Sequence, residues 1–211
     1  MKDVLTKLAS VAGKREQDLN IQLAQKIADD DDHSAVQELI NGLEHKTKAI
    51  RHDCIKALYE IAELNPSLIS PSAKDFIQLL NDKDNRMQWG AMTTLSAIVN
   101  EADDLIFKNL SAILVIADAG SVITKDYAVK ILVALSGHKK YIDITMPLLL
   151  EQILASPNNQ LPSYAEQAQP VIPDKYKESF MKILSERMPD VTPDSKKKRV
   201  EKVLKKIMAS K

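Results

Sequence analysis

The amino-acid sequence predicts an all-α protein, a solenoid of about six stacked helix pairs. Three observations lead there. Six columns of apolar or small residues recur at an interval of 37 residues over three successive units. Within each unit those residues follow helical spacing. Aromatics make up only 4% of the chain, thin for a sheet protein, and five glycines among 211 residues leave no glycine-rich phosphate loop. At 45% hydrophobic and 27% charged, the chain has the apolar content for a core and is not a disordered polyelectrolyte.

The columns define two helices per unit. Leu39, Phe76 and Ile113 form one column, Ile40, Ile77 and Leu114 a second, and Leu43, Leu80 and Ala117 a third, all in the first helix. Cys54, Ala91 and Ala128 are small residues at one position of the second helix, followed by Leu58, Leu95 and Leu132, then Ile61, Ile98 and Leu135. The i, i+4, i+7 spacing of the last three columns is the buried stripe of an amphipathic helix. Thr47, Asp84 and Ser121 share the same interval, and their side chains suit the N-cap of the second helix. Ser70-Pro71 reads as a further helix start. One such pair cannot bury its own stripe, so neighbours must stack.

The pattern continues outward with lower fidelity. Val4, Leu5 and Leu8 match the first-helix columns, Gly13 falls near the expected cap, and Ile21, Ala24 and Ile27 continue as a second helix. Leu149, Leu150 and Leu154 suit a fifth first helix. Residues 156–173 then carry four prolines, with a short helix expected to open on the capping box Ser163 to Glu166. A final pair is expected at about 174–187 and 193–210, the last helix burying Val200, Val203, Leu204 and Ile207. The expected organisation is a single domain, with repeats over 1–155 and an irregular helical cap over 156–211 continuous with them.

The second helices resemble those of HEAT repeats, with armadillo repeats as close cousins. The residues that carry the resemblance are Ile50-Arg51, Cys54, Ala57-Leu58 and Ile61, then Met87-Gln88, Ala91, Thr94-Leu95 and Ile98, then Thr124-Lys125, Ala128, Ile131-Leu132 and Leu135. The departure is that the inner arginine of the family pattern is kept only at Arg51, with Gln88 and Lys125 in its place elsewhere. The match covers about residues 34–136 and implies a right-handed α-α superhelix. It implies non-catalytic protein–protein interaction through the concave face, as scaffold or adaptor. The tetratricopeptide pattern of Trp-x-x-Leu-Gly and a final proline is absent.

In such a superhelix the second helices line the concave face. Rotating by about 100° per residue from Arg51, Gln88 and Lys125 gives the solvent-facing rows. They are His52, Lys56, Tyr59 and Glu63; Trp89, Thr93, Ser96 and Asn100; Asp126, Lys130, Val133 and Gly137; and, in the first unit, Asp18, Gln22, Gln25 and Asp29. The only tryptophan thus falls on the groove, and exposed aromatics are common anchors of binding surfaces. His52, Lys56, Tyr59, Trp89, Asp126 and Lys130 are the expected contact residues for a peptide or protein. The opposing expectation is that Trp89 merely packs against the adjacent turn.

Charge is zero overall but not evenly distributed. Residues 1–105 hold 12 basic and 18 acidic groups, and residues 106–211 hold 17 basic and 11 acidic. The acidic end includes the run Asp29 to Asp32, which lacks the alternation, glycine and distal glutamate of a calcium loop and reads as a solvated turn. The basic end includes Lys196, Lys197, Lys198, Arg199 and Lys202. These residues supply the alternative reading, nucleic-acid binding by the C-terminal helix. A second resemblance bears on that alternative: alkylpurine DNA glycosylases are similar stacks of HEAT-like pairs, and Trp89 with Asp126 would be the aromatic and carboxylate here.

Other chemistry has no motif. His33, His45, His52 and His138 show no metal-ligand spacing, and one cysteine excludes an internal disulfide or a multi-cysteine cage. Cys54 falls in a core column and reads as a small hydrophobe. Ser136 to Lys139 has the form Ser-x-x-Lys without its partner motifs and reads as a helix end. No enzyme, metal or other cofactor is expected. The opening residues lack an apolar signal-peptide core, and the most apolar run, residues 110–117, is far too short to span a bilayer. A cytoplasmic location is therefore expected.

Overall fold

The 37-residue interval of the side chains is also the interval of the helix starts. The computed structural model describes residues 3–13 and 18–209, all of whose regular elements are helical. The second helices are α3 (Lys48–Leu64), α6 (Asn85–Ala97) and α9 (Val122–Ser136), so their first residues lie at 48, 85 and 122. Across these three periods the first helix of the repeat is whole only in α2 (His33–Gly42). In the next two periods it arrives in pieces: α4 (Pro66–Ile69) and α5 (Ala73–Leu79), then α7 (Asp103–Lys108) and α8 (Leu110–Ala119). Even the break repeats, since 66 and 103, and 73 and 110, are each one interval apart.

Contacts divide the chain into two compact units, residues up to Ala128 and residues from Val129 on, with the boundary inside α9. In the first unit α3 packs against α1 (Asp18–Asp29), α2 and α6, and α5 packs against α6. Cys54, Leu58 and Ile61 have no exposed surface, nor do Ala91, Leu95 and Ile98. In the six repeating columns every residue except Ile77 is buried. Small residues set the helix spacing. A methyl group built on Gly90 of α6 would stand 2.4 Å from Ile55 Cγ1 on α3. One built on Gly42 would stand 2.5 Å from the Cys54 sulfur. Burial, together with the nearby Asp53 and Glu38 charges, pushes the Cys54 thiol up to about 12, so it is an inert core group.

Several local expectations need correction. The segment after Asp3 forms a 3-10 turn (Val4–Lys7) rather than an α-helix, although Val4 and Leu8 are buried as expected. In α1 Ile21 is 40% exposed, because the buried stripe is Asn20, Leu23, Ala24 and Ile27. That stripe starts on a polar residue, which hydropathy alone passes over. Asn20 Oδ1 accepts from Ala9 N at 3.0 Å, and its Nδ2 donates to Asp53 Oδ1 at 2.8 Å. Asp53 Oδ2 accepts from Ser10 N at 2.7 Å, so a buried Asn–Asp pair fastens the N-terminal turn to α3. Ser70-Pro71 does not start a helix; it lies in a 3-10 turn, and Pro66 opens α4 instead. Thr47 makes no side-chain cap bond, whereas Asp84 accepts from Arg86 N at 3.0 Å.

The second unit contains α10 (Ile142–Ala155), α11 (Leu161–Ala168), α12 (Asp174–Arg187) and α13 (Asp194–Ala209). Here α10 packs on α12, and α11 and α12 pack on α13. In α10 the buried stripe is Met146, Leu149, Leu150 and Ile153, leaving Leu154 one residue out of phase and 47% exposed. The capping box at Ser163 is absent. Pro162 sits in the first turn of α11, which therefore begins ahead of Ser163, and Glu166 pairs with Arg199 rather than with the helix backbone. The last helix buries Val200, Val203, Leu204 and Ile207, as its spacing predicts. Ser136 ends α9, and its hydroxyl lies 2.9 Å from Thr145 Oγ1. The sequence boundary at 155/156 coincides with the end of α10, inside the second unit.

Three substitutions test this packing. Alanine is a better helix former than glycine by about 1 kcal/mol. Gly90→Ala should nonetheless destabilise by about 1–3 kcal/mol, because overpacking against Ile55 outweighs that gain. Adding Ile55→Ala should cost less than the sum of the two single changes in a urea-unfolding cycle; strict additivity would contradict the contact. Asn20→Ala should cost about 2–3 kcal/mol, since it strips a partner from a buried carboxylate and from a backbone N–H. Hydrogen exchange at Ala9 and Ser10 should speed up in that variant.

Candidate functional site

Helices α3 and α6 bring four of the six expected contact residues onto one stretch of surface. The rings of Tyr59 and Trp89 lie 5.7 Å apart at 49°, a tilted pair within the usual range of aromatic contacts. Both are half-buried. Trp89 therefore packs against Tyr59 of the preceding repeat while keeping part of its side chain at the surface. The Lys56 ammonium stands 4.7 Å from the Tyr59 ring centre and also pairs with Glu60. Burial would lower the Lys56 amine, but Glu60 and Tyr59 hold it above the ordinary lysine value. Burial likewise raises the Tyr59 hydroxyl, with Lys56 opposing it.

His52 is engaged on the other side. Its Nε2 lies 2.7 Å from Asp84 Oδ2, and Lys48 Nζ reaches the same oxygen at 3.1 Å. Burial would raise the Asp84 carboxyl. Hydrogen bonds from His52, Lys48 and the Arg86 backbone N–H outweigh it and hold Asp84 well below the usual carboxylate range. Asp84 thus caps α6 and ties α3 to it. Neither His52 nor Lys56 is an idle surface group: their side chains are 17% and 14% exposed. Asp126 is half-buried on α9; Lys130, one turn on and in the second unit, is exposed. Of the remaining row positions, Thr93 is buried, its hydroxyl donating to Trp89 O at 2.8 Å, whereas Asp18, Gln22, Gln25 and Asp29 on α1 are exposed.

Arg51 bridges successive repeats within the first unit. Its Nε donates to Leu43 O at 2.8 Å, and its guanidinium pairs with Asp82 in the turn before α6. It sits in the wall of a cleft of about 910 Å³ along the ends of α2 and α5, which amides including Asn41 and Gln78 also line. The sequence offers no pointer to that cleft, since apart from Ile40, Leu43, Leu79 and Arg51 its walls are polar residues that belong to no motif or column. The aspartate run is a helix junction: Asp32 Oδ1 accepts from Ala35 N at 2.9 Å to cap α2, and Asp30 pairs with Lys26 at 3.1 Å. Among the described residues no three His, Cys, Asp or Glu side chains converge on one point.

The basic run on α13 divides. Arg199 grips Glu166 through two bonds, of 2.9 and 2.6 Å, and Lys196 Nζ donates to Asn159 Oδ1 at 3.0 Å. Lys198 and Lys202 are exposed, and Lys197 is half-buried. Two of the five expected nucleic-acid contacts are thus also internal fasteners of the second unit.

Comparison with known proteins supports the architecture and nothing finer. No protein-family model matches the chain, and no curated protein matches it. Two crystal structures of engineered proteins from the Northeast Structural Genomics Consortium are similar to it. One has a TM-score of 0.65 at 17% identity, covering 100% of both chains. The other has a TM-score of 0.61 at 17% identity, covering 99% of this chain and 98% of that one. The likeness is one of fold. The chain is an all-helical protein, and no described helix is long and apolar enough to cross a membrane.

Asp84 gives a pH test of the α3–α6 tie. Its folded pKa is depressed, so its stabilisation is present above the unfolded value of about 3.9 and is lost as pH falls through that value towards the folded one. Asp84→Asn, which keeps a capping oxygen but no charge, should cost about 1–2 kcal/mol at pH 7. The gap from wild type should narrow below about pH 4 in denaturant titrations. A pH-independent gap would remove the charge from the account.

Proposed function

We propose that the chain is a right-handed HEAT/armadillo-like superhelix of about six helix pairs that serves as a cytoplasmic, non-catalytic scaffold for another protein. What supports the architecture is the interval of 37 in helix starts and in the break of the first helix, which makes each period two or three helices, as in that class. What supports the function is the half-exposed Tyr59–Trp89 pair, flanked by Lys56 with Glu60 and by His52 with Asp84. An aromatic pair already held by packing loses little entropy when it anchors a ligand, and the fixed charges beside it select orientation. Asp126 extends the contact onto α9 within the same unit.

The test is capture from a nuclease-treated lysate of the source cells on wild-type and Trp89→Ala baits, followed by titration of the recovered protein. An anchoring tryptophan should make Kd rise about 30-fold in the variant, the equivalent of about 2 kcal/mol. The wild-type affinity should largely survive 0.2 M salt, unlike phosphate-driven binding. Equal affinity for both baits would refute the anchor, and collapse with salt would favour the basic helix α13 instead.

A further inference from the structure

The second unit holds a small pocket whose charges do not balance. Its volume is about 290 Å³, and it lies along the contact of α11 with α13, lined by Glu166, Gln169, Arg199, Lys202, Val203 and Lys206. Residues 199, 202, 203 and 206 fall on one side of α13, at the i, i+3, i+4, i+7 positions that share a helix face. Lys198 and Lys205 are exposed on a different side of the same helix. The basic run, continuous in sequence, is therefore split by the helix into two exposed stripes, one beside α11 and one on another face.

Glu166 reports where the first stripe converges. Its carboxyl is held below the usual range by the hydrogen bonds from Arg199 and by the fields of Arg199, Lys202 and Lys206. One carboxylate thus stands among three cations, leaving two positive charges uncompensated in the pocket. Arg199 spends Nε and one terminal nitrogen on Glu166, so the second terminal nitrogen of its five-donor fork has no part in that bridge. Gln169 adds a neutral amide to the wall.

We infer that this pocket is a binding site for a phosphate group of a small molecule, held by Lys202, Lys206, the remaining Arg199 donors and the Gln169 amide. Charge and size both select that class. A phosphate monoester carries close to two negative charges at neutral pH and presents three acceptor oxygens. The volume is at the lower limit of small-molecule sites, enough for the group and part of the molecule that carries it. Glu166 disfavours singly charged carboxylates, which lack the charge to offset its repulsion, and orients Arg199 for the incoming oxygens. The inference is independent of the α3–α6 surface.

The experiment is a titration of the full chain with inorganic phosphate, using chloride at matched ionic strength as control, followed by amide and side-chain NMR. Shifts should saturate at Gln169, Arg199 and Val203 with phosphate and not with chloride. Kd should rise about two- to fivefold for Lys202→Ala and for Lys206→Ala. It should stay unchanged in Lys198→Ala/Lys205→Ala and fall about two- to fivefold in Glu166→Gln, which removes the opposing charge. Circular dichroism establishes that each variant is folded. A short DNA duplex forms the second arm. If phosphate shifts spread evenly along 196–206 and both lysine pairs matter equally, as duplex binding to a polycation would give, the pocket is refuted. Absence of saturation below 50 mM phosphate (about that concentration being the weakest useful site) refutes it as well.

Discussion

Close approach of α3 to its neighbours is the constraint on which the first unit rests. The stripe Cys54, Leu58 and Ile61 is buried completely only because α2 and α6 come near enough to exclude water. Gly42 against Cys54 and Gly90 against Ile55 provide the clearance. Each buried aliphatic side chain contributes about 1.5–3 kcal/mol, so a helix held one methyl group further out would forfeit contacts along its whole length. The small column Cys54, Ala91 and Ala128 carries the same requirement from one repeat to the next.

Polar groups add specificity to that apolar frame. A packed stripe tolerates sliding, whereas a buried hydrogen-bonded pair does not, since any other register leaves a charge or an N–H unsatisfied. Asn20 and Asp53 hold the N-terminal turn to α3, Asp84 with His52 and Lys48 sets α6 against α3, and Arg51 with Asp82 joins adjacent turns. In the second unit Arg199 with Glu166 performs the same service for α11 and α13. Charges that look like free surface groups in the linear chain are largely committed to the fold.

That commitment shapes what the surface can offer a ligand. On α3 the charges of Lys56 and Lys48 are already met by Glu60 and Asp84, and the aromatic pair beside them remains for a partner. On α13 the balance is the reverse: one carboxylate serves three cations, and the surplus is positive. The two units therefore present chemically different faces, one apolar within fixed charges and one suited to anions.

Much of the architecture was legible in the sequence because stacking repeats must bury the same face each time. The columns at Leu39, Cys54, Leu58 and Ile61, the second-helix starts and the last buried stripe could all be read from spacing. The Tyr59 and Trp89 row was legible by the same rotation, which placed both on one face. What spacing could not convey was which residues find partners far along the chain. Ile21 and Leu154 read as core and are exposed, while polar Asn20 is buried, because a residue's burial depends on a partner such as Asp53 that no local pattern predicts. Ser163 and Glu166 read as a capping box, yet Glu166 is claimed by Arg199, 33 residues away in the chain. Periodicity determines which face of a helix is buried; only the tertiary structure decides which charges meet, since electrostatic pairing depends on distance in space rather than on spacing along the chain.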